Sequence, residues 1–264
     1  MQRERVAYGG PVPSTVAVIT VVTGHHELAR QVDALSSGSR QPDLHVVVLL
    51  DDDDPRGLPA DGETPWQTLV RRVQPGEDEE PMAFAHNTGA AEAVAQEIDI
   101  LVFLDDDVIP GPELLASYAE ALAPVPEEDP MTPEVEERVL QPQVPTLWCG
   151  ALADLREVED GDDYDLDRLH KGADFAPDNN RVKDGKVETA VDLTRADSAN
   201  LAMLAADFVL AGGFPNNQVV GEDSALAEVV RQLGGVLKWV GGATAYREHV
   251  TPPPPEQRTE TTQS

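Results

Sequence analysis

The run Leu101-Val102-Phe103-Leu104-Asp105-Asp106-Asp107-Val108-Ile109-Pro110 constrains the fold more than any other stretch of the chain. Four apolar residues lead straight into three carboxylates, and Pro110-Gly111-Pro112 then ends the extended segment. An apolar run closed by turn residues predicts a strand buried on both faces. Open α/β sheets bind their ligands at the carboxyl ends of such strands, which is where the acids fall. Three adjacent anions repel one another and are costly to gather without a positive partner. A divalent cation bridging to phosphates answers that cost, because Mg²⁺ and Mn²⁺ prefer oxygen and take one or two carboxylates plus substrate oxygens.

The remaining apolar runs repeat the theme. Val16–Val22 and Leu44–Leu50 read as buried strands, and Leu69–Val73 as a short one. Helical spacing of apolar residues predicts helices over Glu27–Leu35, Asn87–Glu97 and Pro112–Leu122. Strand-helix-strand alternation implies a mostly parallel sheet with helices on its faces. Farther along, Val144–Leu152 and Val236–Val240 predict strands and Asp223–Leu233 a helix. Residues 1–13 read as a flexible lead-in and 252–264 as a disordered tail around one domain, 14–251. Within that domain 124–143 and 154–190 read as variable insertions, the second a mobile acidic excursion.

Composition narrows the function. Against 49 acidic residues stand 19 basic ones, a net charge of −30. Such a field repels nucleic acid and anionic membrane. Lysine is scarce (Lys171, Lys183, Lys186 and Lys238), as in a halophilic protein kept soluble at high salt. The single cysteine, Cys149, precludes an intrachain disulfide. With neither a signal-like run nor a long apolar window, the expectation is a cytoplasmic protein without a transmembrane segment. Asp162, Asp163, Asp165 and Asp167 alternate like a calcium loop but lack its glycine and closing glutamate, and read as a solvated loop.

Three acidic groups recur in related settings: Asp51-Asp52 after the second strand, Asp105-Asp106-Asp107 after the central one, and Glu222-Asp223 opening a late helix. Their order resembles that of the GT-A glycosyltransferases, family 2 in particular. Val16–Leu28 resembles that family's opening strand and turn, and His45–Asp52 its second strand with an Asp-Asp ending. Ala85-His86-Asn87-Thr88-Gly89 is similar to its Ala-Arg-Asn-x-Gly, and Phe103-Leu104-Asp105-Asp106-Asp107 to its DxD element. Gly212-Gly213-Phe214 and Gly221-Glu222-Asp223 resemble motifs shared with galactosyltransferase-like C-terminal regions.

The resemblance implies a GT-A-like, Rossmann-like α/β domain and a hexosyltransferase-type enzyme moving sugar from a nucleotide-sugar, UDP-linked, to an acceptor hydroxyl. It implies that Thr23 and Asp51 or Asp52 contact the base, that Asp105 holds the ribose with Asp106 beside it, and that His86 and Asn87 lie against the nucleotide. Asp107 and His249 would hold Mn²⁺ or Mg²⁺, Asp223 would act as inverting base, and Glu222 would bind the acceptor. The acceptor itself, a glycan, lipid-linked sugar or small molecule, stays open. The chemistry asks for these types: a departing diphosphate needs a Lewis acid, and a hydroxyl needs a base. Two rivals remain. A sugar-phosphate nucleotidyltransferase would want a Gly-rich basic loop after the first strand, where Thr23-Gly24-His25-His26-Glu27 stands. A non-catalytic nucleotide- or metal-binding module could keep the same fold.

Overall fold

The computed structural model describes residues 14–23, 27–52, 54–60, 62–123, 144–156, 164–175, 182–190, 192–216 and 221–248. The expected lead-in, the tail, the 124–143 insertion and His249 therefore lie outside the described residues.

In the first half, β1 (Val16–Val22), α1 (Ala29–Ser37), β2 (Leu44–Leu49), β3 (Gln67–Arg72), α2 (Pro81–Ala95) and β4 (Ile100–Asp105) form the expected alternation. After β4 come β5 (Val108–Pro110), α3 (Leu114–Ala121), β6 (Thr146–Cys149), β7 (Leu152–Leu155), α4 (Leu169–Gly172) and β8 (Ala173–Phe175). The chain continues with β9 (Val187–Thr189), β10 (Leu201–Leu204), α5 (Ala205–Ala211), α6 (Glu222–Gln232), β11 (Val236–Val240) and β12 (Ala245–Arg247).

An eight-stranded sheet runs in the order β3-β2-β1-β4-β10-β6-β11-β9. Only β10 and β9 oppose the common direction. Side chains alternate between two cores, so Ala17, Ile19, Leu101 and Phe103 pack on one face and Val16, Val18, Val102 and Leu104 on the other. Both faces being covered explains why β1, β2 and β4 read as continuous apolar runs.

A second sheet of four strands, β5-β12-β7-β8, lies beyond the first. Three strands of the large sheet feed it after short bends: β4 into β5, β6 into β7, and β11 into β12. This corrects two expectations. The strand expected to run to Pro110 breaks at Asp106-Asp107, and the one expected over Val144–Leu152 breaks at Gly150-Ala151. At the second bend a Cβ on Gly150 would sit 1.6 Å from the Ala243 carbonyl oxygen, so only glycine lets the strands pass.

Two further expectations shift. Helix α2 starts six residues before Asn87, because Pro81 occupies its first turn and the Glu80 carboxylate accepts from the Ala83 amide at 2.6 Å. The His86-Asn87 motif thus lies inside the helix rather than ahead of it. Within 154–190, read as an excursion, β7 and β8 join the small sheet and β9 edges the large one.

Candidate active site

The parallel strands end at one edge, and the acids that follow them gather there. Asp105 closes β4, paired across the ladder with Val21 of β1. Its carboxyl is pushed up to about 7, first by burial and then by the negative charges of Asp107 and Asp197, against the pull of Arg247; Asp223 adds to the rise. Asp223 is half-buried at the start of α6 and accepts from the Ser198 amide at 3.0 Å. Burial lifts it to about 6, opposed by its hydrogen bonds to Ser198, while Asp197 pushes the same way as burial. Asp105, Asp107, Asp197 and Asp223 therefore act on one another, although they come from three separate stretches of chain.

Arg247, at the end of β12, brings a positive charge to the group. Its Nη2 stands 4.0 Å from Asp105 Oδ2 and 3.7 Å from Asp197 Oδ2. The next amide, of Glu248, donates to the Asp107 carbonyl at 2.8 Å, so the residue after β12 lies directly beside Asp107. Asp106 turns the other way and accepts from the Thr23 amide at 3.0 Å, tying the end of β1 to the acidic turn.

Asp51 and Asp52 follow β2, two strands from β4, a lateral separation of about 10 Å by ordinary strand spacing. They occupy the same edge but stand apart from the acidic group. The Asp51 carbonyl accepts from Arg72, whose other Nη binds Asp54 at 2.7 Å.

Glu222 precedes Asp223 and is pushed up to about 7 by burial, then by Asp223 and Glu80. Its Oε1 is 3.7 Å from His86 Nδ1. His86 is 0% exposed, sits against the rings of Phe103 and Phe214, and is lowered to about 4 by burial. Asn87 spends both ends of its amide on Phe214, donating to its carbonyl at 2.7 Å and accepting from its N–H at 2.8 Å. Of the two residues expected to lie against the nucleotide, His86 is buried in the aromatic core and Asn87 clamps the Gly212-Gly213-Phe214 turn to α2. Gly213 completes the clamp, since a Cβ there would lie 2.5 Å from Asn87 Oδ1. Trp148 and Trp239 are also buried. Cys149 is buried too, and burial pushes its thiol up to about 12.

Asp197, Arg247 and Glu80 were not singled out from the sequence. Asp197 precedes β10, and β10 runs antiparallel, so its start lies at the edge where the parallel strands end. Strand direction was the missing signal. In so acidic a chain another Asp before an apolar run carries none.

Oxygen donors that raise one another's proton affinity suit a hard divalent cation. Among the described residues no group of three or more His, Cys, Asp or Glu is arranged to hold a metal ion by itself. Asp105, Asp107, Asp197 and Asp223 offer oxygens of the type such a cation takes together with substrate oxygens.

The eight-stranded, mostly parallel sheet flanked by helices matches the GT-A glycosyltransferase fold. GalNAc-T7, solved with UDP, GalNAc and Mn²⁺, superposes with a TM-score of 0.55 at 14% identity, over 89% of this chain and 44% of that one. S. aureus TarS superposes with a TM-score of 0.52 at 13% identity, over 89% of this chain and 37% of that one. Residues 1–349 of TarS in complex with UDP-GlcNAc give 0.51 at 12% identity, over 90% and 59%. The chain thus spans less than two thirds of each of these proteins. No protein-family model and no curated protein matches the sequence. No helix among the described residues is long and apolar enough to cross a membrane.

Proposed function

We propose that this chain is a metal-dependent, hexosyltransferase-type glycosyltransferase that moves a sugar from a UDP-sugar to an acceptor hydroxyl with inversion. The observation that carries this reading is the mutual electrostatic coupling of Asp105, Asp107, Asp197 and Asp223 at the carboxyl edge of a GT-A sheet. The likeness to proteins solved with UDP and Mn²⁺ or with UDP-GlcNAc supports the donor class.

In this reading Asp107 and His249 would hold Mn²⁺ or Mg²⁺, which would supply Lewis-acid stabilisation to the leaving diphosphate. Asp105 and Asp106 line the ribose side, while Thr23, Asp51 and Asp52 border the base. Asp223 takes the proton of the acceptor hydroxyl as its oxygen attacks the anomeric carbon. A carboxylate lifted to about 6 is a better proton acceptor than an exposed aspartate and remains ionised near neutral pH. Direct displacement with that base inverts the anomeric centre. Glu222, raised further and adjacent, stays available to hydrogen-bond an acceptor hydroxyl.

The test is a UDP-sugar panel scored for UDP release with and without chelator, repeated with Asp107→Ala and Asp223→Ala. Chelator-sensitive release that both substitutions abolish supports the reading. Transfer that survives both would overturn it, and binding of UDP with Mn²⁺ without turnover would favour a non-catalytic module.

A further inference from the structure

We propose that Gln31 is a positioning residue for the acidic turn: its buried amide fixes the bend between β4 and β5 and so aims Asp106 and Asp107. The functional side of this inference rests on the glycosyltransferase reading; the geometric side does not.

Gln31 lies on α1 and is 2% exposed. Its Nε2 donates to the Asp105 carbonyl at 2.9 Å and to the Val108 carbonyl at 2.9 Å. These are the two backbone acceptors flanking Asp106-Asp107, so a single NH₂ group clasps the turn from both sides. Its Oε1 accepts from the Thr20 hydroxyl at 2.8 Å. The amide orientation is unambiguous, because carbonyls cannot donate and only the NH₂ end can serve both. Thr20, having given its proton to Gln31, can only accept from His45 Nε2 at 3.1 Å. His45 is fully buried and lowered to about 4, hence neutral with its proton on Nε2. The chain His45, Thr20, Gln31 thus anchors the acidic turn to β2 and β1 with every hydrogen directed one way.

The other two bends are held by the same device. Asn200, 2% exposed, donates its amide to the Ala151 carbonyl at 3.1 Å and the Ala243 carbonyl at 2.9 Å, at the β6–β7 and β11–β12 junctions. Its Oδ1 accepts from the Tyr118 hydroxyl at 2.8 Å. Primary amides thus supply donors to backbone carbonyls at all three changes of sheet: Gln31 gives both hydrogens to one bend, and Asn200 gives one to each of the other two. At the β4–β5 bend the clasped segment is the one that carries carboxylates.

The experiment compares wild type with Gln31→Met, nearly equal in size but unable to donate, and with Leu35→Ala, a buried change on the same helix that leaves these bonds in place. Amide hydrogen exchange is followed at Thr23, which binds the Asp106 side chain, and at Glu248, which binds the Asp107 carbonyl. Gln31→Met should speed exchange at both by roughly tenfold or more, with the β1–β2 ladder unchanged, because local opening is released without global unfolding. Leu35→Ala should shift exchange across the fold without singling out these two amides. Calorimetry with UDP and Mn²⁺ supplies the functional arm, where Gln31→Met should weaken binding about tenfold and Leu35→Ala should not. Unchanged exchange at Thr23 and Glu248 in Gln31→Met overturns the inference. If wild type binds no UDP, the functional reading fails while the exchange data still decide the role of Gln31.

Discussion

Two aspartate-rich turns end neighbouring parts of the same sheet, and they behave in opposite ways. After β2, the Asp54 side chain is 85% exposed and paired with Arg72, and Asp52 is exposed as well. After β4, Asp105 is packed among Asp107, Asp197 and Asp223, and its carboxyl rises to about 7. Residue type is the same in both places. The difference is that β4 is a central strand whose acids meet others arriving from the start of β10 and of α6, whereas β2 lies two strands away toward the sheet's edge. Acid density alone therefore says little in this protein; convergence under burial is what stores repulsion that a cation can relieve.

The largest test of that contrast is catalytic. Asp223→Asn should lower kcat by about 10²–10⁴-fold as the base is lost, while Asp54→Asn should leave transfer at the wild-type rate. Equal losses from both would erase the distinction between the two turns. Next in size, Asn87→Leu should cost about 2–3 kcal/mol of unfolding free energy, because the Phe214 N–H and carbonyl both lose their partner in a buried turn. Chemical denaturation measures it, and a near-neutral result would show that the clamp is not holding the late motifs in place.

A smaller effect concerns pH. Glu222 titrates higher folded than unfolded, so its contribution to stability is present below its ordinary carboxylate range and is lost as pH rises through about 7. Wild type should therefore melt lower at about pH 8 than at about pH 5, and Glu222→Gln should flatten that fall by about 2–4 °C. A parallel pH profile in the variant would detach Glu222 from the coupled acids. Smallest of all, Arg72→Met removes an exposed ion pair at the solvated turn and should change stability by less than about 0.5 kcal/mol.

Much of this was legible beforehand, and for identifiable reasons. Strands β1, β2 and β4 are buried on both faces, so their apolar runs needed no partner to be recognised. Val236–Val240 matched β11 in full, although Lys238 interrupts its apolar run and is only partly buried. The glycine of the Ala-His-Asn-Thr-Gly motif also has a local physical meaning, since a Cβ on Gly89 would stand 2.5 Å from Ile19 Cγ2 where α2 lies on β1. What misled was continuity. Val108-Ile109-Pro110 looks like more of the same strand, yet two acids suffice to turn the chain into another sheet. For His86 and Asn87 the resemblance implied nucleotide contacts, and what only the fold reveals is that Asn87 also locks α2 to a turn 127 residues away.

The chain's own pattern of residues determined a mostly parallel sheet flanked by helices and marked the ends of its strands with acids, because burial on both faces and turn chemistry are written locally. Which of those acids touch was decided only in three dimensions. The antiparallel course of β10 brings Asp197 to the shared edge beside Arg247, the bend after β4 sets the Asp107 carbonyl against the Glu248 amide, and α6 delivers Asp223 from the far end of the sequence. Electrostatic coupling depends on distance and solvent exclusion, and neither quantity exists until the sheets have folded together.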